Sequence, residues 1–135
     1  MTDAEDVFPR FSQGELQRRA RAMFEVMDAA GVAHLVAYGS ERTGSAVQWL
    51  SEWPVTREAA LVVTPGDPLH LLVQHYNHLP NARRIAADSV VEWGGPSTVT
   101  RLGEILNARM DRRTASRSGR AARISRLSGP RRLRW

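Results

Sequence analysis

Apolar residues along the chain recur with two periods, and the switches between them divide it into eight elements. Leu16, Ala20, Met23, Phe24 and Met27 return at three- and four-residue steps, which predicts an amphipathic helix. Ser12 and Glu15 form a capping box at its start, with Phe11 and Leu16 at the staple positions around it, and Gly31 stands where a helix commonly ends. Arg18, Arg19, Arg21 and Glu25 are then read as a solvated face. Residues 32–38 make a β-rich run, apolar apart from His34, and Gly39 breaks it. Residues 44–53 fit a short helix with Val47 and Leu50 inward, stopped before Pro54. The runs 58–63 and 69–73 flank Thr64-Pro65-Gly66-Asp67-Pro68, which predicts two antiparallel strands joined by a turn. A helix over 77–87 tolerates Pro80 near its start, a strand covers 89–93, and Ser97 caps a last helix to about Arg109 with Val99, Leu102, Ile105 and Leu106 inward. The order α-β-α-β-β-α-β-α predicts an α/β fold: a three-layer domain with a mixed β-sheet flanked by helices.

Composition changes that picture mainly at the carboxy-terminal end. The chain has 135 residues, room for one ordinary domain. It has no cysteine, which excludes disulfides and thiolate chemistry and fits a reducing cytoplasm. Its acidic first residues and strand-sized apolar runs predict neither a secretory leader nor a membrane span. Through Met110 there are ten arginines against thirteen acids, a net charge of −3, whereas residues 111–135 hold nine arginines and one aspartate, a net charge of +8. The expected organisation is therefore an extension over 1–10, a domain over 11–109 and a disordered, or at best weakly helical, basic tail over 110–135. Nucleic acid is expected as a partner only through that tail. The chain has no lysine, so this Arg-, Ser-, Gly- and Ala-rich stretch also fits a frameshift near residue 110 in a GC-rich gene.

From Phe11 to about Leu106 the chain resembles the amino-terminal domain of the creatinase/prolidase/Xaa-Pro aminopeptidase family of metallopeptidases. The likeness is carried by Phe11-Ser12-x-x-Glu15-x-x-Arg18-Arg19, by Ala30 to Gly39, by Val47-Gln48-Trp49-Leu50-Ser51-Glu52-Trp53 and by the hairpin Ala60 to Val73. Ser51-Glu52 stands where the family has Thr-Gly. The resemblance implies a creatinase/prolidase N-terminal-domain-like fold that packs on a larger two-metal catalytic domain, helps form a homodimer and walls the partner's active site. It further implies that the sequence stops where the catalytic domain would begin, so that this chain has no catalytic or metal-ligating residues and no cofactor of its own. Both divalent metals would then sit in that other domain.

Among individual residues, His75 and His78 are three apart and suit one metal ion on a helix, but no third ligand stands near them and a surface pair is the simpler reading. Gly39 to Ala46 has glycines at phosphate-loop spacing but Ser45 in place of lysine, which makes it a turn. In an assembled dimer, the resemblance places Arg42, His75 and His78 as substrate-contacting candidates. Trp49, Trp53 and Trp93 are read as core or interface aromatics, with Trp49 and Trp53 one helical turn apart in a patch that an absent second domain would leave open. His34 and His70 are expected to be buried and hydrogen-bonded. A stand-alone small-molecule or peptide binding module is the alternative function.

Overall fold

The computed structural model describes residues 10–41, 43, 45–86 and 88–127. Helix α1 spans Gln13–Ala29, and the Ser12 hydroxyl accepts from the Glu15 N–H at 3.1 Å. Only that half of the capping box forms, because the Glu15 carboxylate turns instead to Arg18 and Arg19. The carboxy-terminal end is a Schellman motif: Gly31 N–H bonds Asp28 C=O, Val32 N–H bonds Met27 C=O, and Gly31 takes a φ of 67° that favours glycine.

Strand β1 is Leu35–Gly39, helix α2 Ser45–Ser51, and strands β2 and β3 are Ala59–Val63 and His70–Val73. The predicted turn closes with Asp67 N–H on Thr64 C=O at 3.0 Å. A 3₁₀ turn at Tyr76–His78 leads into helix α3, Leu79–Ile85, with Pro80 in its first turn, where a missing N–H costs nothing. Strand β4 is Val90–Trp93. The sheet runs in the order β1-β2-β3-β4, antiparallel at the first two pairings and parallel at the third, so the expected mixed sheet is present.

Register sorts the strand residues onto two faces. Ala37, Ala59, Leu61, Val63, Leu71, Val73 and Val91 share one face and form a single core with Met27 of α1, Val47 and Leu50 of α2, and Leu79 and Ala82 of α3. Each fully buried Val, Leu or Met side chain among them contributes about 1.5–3 kcal/mol when taken out of water. The other face carries Val36, Tyr38, Ala60, Val62, His70, Leu72, Val90 and Glu92. β2 is buried at every position, so both faces are covered over the middle of the sheet. At edge strand β1 the coverage fails, and Val36 and Tyr38 are exposed where the sequence suggested burial on both sides.

Helix α4 spans Thr98–Leu127, and the Ser97 hydroxyl accepts from Thr100 N–H at its start. The predicted helix end near Arg109 is corrected, and residues 110–127 take the helical rather than the disordered of the two expected states. Arginine and alanine are strong helix formers, and here that local preference prevails over the lack of an apolar stripe. The chain divides into two compact units, one through Leu102 and one from Gly103. No helix among the described residues is long and apolar enough to cross a membrane.

Candidate functional site

Gly39, Ala59, Val73 and Trp93 stand in one row across the four strands. The segments leaving β1, β3 and β4 therefore gather at one end of the sheet, with the segment that enters β2. Carboxyl ends of neighbouring parallel strands are where α/β sheets commonly present ligand-binding loops. Two of the three sequence-predicted site residues are described there. His75 precedes the 3₁₀ turn in extended conformation, and His78 closes that turn with its N–H on His75 C=O at 3.0 Å. The third, Arg42, lies outside the described residues.

The two imidazoles meet edge to face, 5.2 Å between ring centres at 81°. His78 also packs against Trp53 at 5.8 Å, and Tyr76 meets Trp93 at 5.8 Å and 86°. The indole N–H of Trp93 donates to Gln74 C=O at 2.9 Å, and Gly94 N–H donates to Val73 C=O at 2.8 Å, pinning the loop after β3 to the end of β4. The outcome is a rim of five rings, of which Tyr76 (69% exposed), Trp93 (41%) and His75 face solvent. Such a rim can stack an apolar or flat group and exchange hydrogen bonds through its imidazoles. Among the described residues no three His, Asp or Glu side chains gather into a metal cage.

Trp53 is not part of an open patch with Trp49. Helix α2 ends at Ser51, whose hydroxyl bonds back to Val47 C=O at 2.7 Å and accepts from Trp53 N–H at 3.3 Å. Glu52 then takes φ 63° and turns the chain, which drives Trp53 inward to 5% exposure. Trp49 is half-buried against the core. Arg19, expected on a solvated face, is itself buried. Its guanidinium lies 3.8 Å from the Phe11 ring centre and donates to Trp49 C=O and the Glu15 carboxylate. Hydrogen bonds from Arg18 and then Arg19 hold the Glu15 carboxyl down to about 2.

On the second sheet face, His70 Nε2 lies 3.2 Å from Glu92 Oε2, and Arg101 donates to the same oxygen at 2.9 and 3.0 Å. Burial works against ionisation of Glu92, but the hydrogen bonds from Arg101 and His70 outweigh it and hold the carboxyl below its ordinary range. His34 Nδ1 pairs with the Thr64 hydroxyl at 2.9 Å. His34 is thus hydrogen-bonded and His70 lies against a carboxylate, and both are partly exposed rather than fully buried as their setting in apolar strands implied. A groove of about 450 Å³ opens elsewhere, with Leu16, Leu50, Leu69 and Ile85 among its apolar lining and Glu52 and Asp88 among its polar lining. Sequence reasoning did not foresee the Tyr76–Trp93 contact, since it arises from the parallel pairing of β3 with β4. The signal available was the flanking of His75 by Gln74 and Tyr76 directly after an apolar strand.

No protein-family model matches the chain, and neither does any curated protein. Among solved structures it is similar to the Xaa-Pro aminopeptidase (aminopeptidase P) of Streptococcus thermophilus, with a TM-score of 0.56 at 13% identity over 70% of this chain and 68% of that one. The fold is that of the aminopeptidase P structure. A weaker likeness, TM-score 0.49 at 16% identity over 60% of each chain, is to a creatinase/prolidase-like N-terminal domain from Corynebacterium diphtheriae. The mixed four-stranded sheet with its four helices is the α/β arrangement that the order of elements predicted, and it is the fold shared with the aminopeptidase P structure. One backbone detail fits the sequence resemblance. Glu52, at the position where the family has glycine, adopts a left-handed conformation that glycine takes without strain.

Proposed function

We propose that this chain serves as the non-catalytic N-terminal domain of an Xaa-Pro aminopeptidase-like metallohydrolase, forming a dimer and lending its loop rim as a wall to an active site whose two metals are held elsewhere. The observation that carries the reading is the rim at the carboxyl ends of β3 and β4, set on an aminopeptidase P-like fold. Tyr76, Trp93 and His75 are exposed there with few polar obligations, which suits a surface completed by another chain or domain. Sedimentation equilibrium of the purified chain tests it: a dimer is expected, weakened by Tyr76→Ala/Trp93→Ala, and a strict monomer at high micromolar concentration contradicts it.

The groove of about 450 Å³ favours a second reading, a small-molecule or peptide binding module, because its size is that of an ordinary ligand cleft. That reading requires a saturable ligand that raises Tm, and a Leu16→Arg variant that loses the shift.

A further inference from the structure

Helix α4 continues through a segment in which six arginine positions, 112, 113, 117, 120, 123 and 126, are separated by steps of one, three and four residues. At 3.6 residues per turn these positions fall within half of the helix circumference, and they extend over about 21 Å of its length. Arg112, Arg113 and Arg117 are exposed. The opposite half presents Met110, Asp111, Thr114, Ala115 and Ser118, followed by positions 121, 122 and 125, which are Ala, Ala and Ser. From this arrangement we propose that the part of α4 beyond Gly103 is a binding element for double-stranded nucleic acid, reading its phosphate backbone without regard to base sequence.

Three features select that ligand. Guanidinium groups form paired hydrogen bonds with phosphate oxygens, and all the basic residues here are arginine. A helix lying in a membrane interface needs an apolar face opposite its basic one, and apart from Met110 that side holds small and polar residues. Single strands are held largely by stacking on aromatic rings, and α4 contains none between Thr98 and Leu127. A duplex needs only a basic rod that fits along or into its groove, about 12 Å wide on the major side. This function is independent of the rim after β3.

Fluorescence anisotropy of the full chain with a labelled random 20-base-pair DNA duplex, from 50 to 200 mM NaCl, tests the proposal. Binding is expected at 50 mM, with log K falling linearly in log salt by about 0.9 for each phosphate neutralised. Arg112→Gln/Arg113→Gln/Arg117→Gln changes exposed positions only, and circular dichroism checks that α4 is retained. This variant should weaken binding at least tenfold and lower the slope by roughly 2–3. A single strand of equal length and phosphatidylserine vesicles should each bind more weakly than the duplex. Absence of duplex binding at 50 mM, an unchanged triple variant, or tighter binding to vesicles or to the single strand would overturn it.

Discussion

The Arg19 guanidinium carbon lies 3.8 Å from the centre of the Phe11 ring, and the same group reaches Trp49 C=O at 2.9 Å and Glu15 Oε1 at 2.8 Å. One side chain, 7% exposed, thus ties the segment before α1 to α2. Arg19→Ala removes a cation–π contact and two charge-assisted hydrogen bonds at once, and should cost about 2–3 kcal/mol in urea unfolding. Arg19→Lys keeps the charge but not the planar fork, and should recover less than half of the loss.

Glu52 holds φ 63° while its carboxylate accepts the Phe11 N–H at 2.8 Å. The left-handed backbone costs a non-glycine residue about 1 kcal/mol, and the exposed hydrogen bond offsets part of that. Glu52→Gly should therefore raise stability by about 0.5 kcal/mol, whereas Glu52→Ala, which keeps the strain and loses the bond, should lower it by about 0.5 kcal/mol. Equal effects of the two substitutions in urea unfolding would show that strain at residue 52 is not the cause.

These two positions also show where a one-dimensional pattern stops being informative. The helix α1 stripe, the hairpin turn and the order of elements were legible because each is dictated by local periodicity and turn chemistry. Arg19 was not, since its burial depends on Phe11 and Trp49, which come from outside α1. Trp53 was misplaced because a side-chain bond from Ser51 and a left-handed Glu52 end α2 before the tryptophan, neither of which leaves a periodic mark. The helical run to Leu127 was hidden behind a composition that resembles disorder, although its arginines and alanines favour helix. At the candidate site, His75 and His78 were legible as residues, but the rim that Tyr76 and Trp93 complete depends on strand pairing.

Acid should weaken the fold through two carboxylates. The Glu15 carboxyl titrates near 2 in the folded chain against 4.5 in the free residue, and that of Glu92 is also held below its ordinary value. A depressed folded value means the unfolded chain takes up the proton first, so the stability these groups contribute is full above 4.5 and is lost as pH falls toward 2. Tm measured across that window should drop, and Glu15→Gln/Glu92→Gln should start lower and show a shallower drop.

Gly94 packs so closely on the start of α4 that a Cβ there would meet Thr98 Oγ1 at 2.6 Å and Thr98 Cα at 3.3 Å. Gly94→Ala must displace a buried residue and should cost about 1–3 kcal/mol, with Thr98→Ala in the same chain restoring part of it. An Ala at 94 that leaves Tm unchanged would mean that this junction yields easily.

The proposed role assigns the hydrolytic centre to residues outside this domain, and activity measures that most directly. Full chain incubated with Mn²⁺ or Co²⁺ and Xaa-Pro peptides should release no amino-terminal residue above the metal-only control. Metal-dependent turnover that tracks with the purified chain would contradict the account.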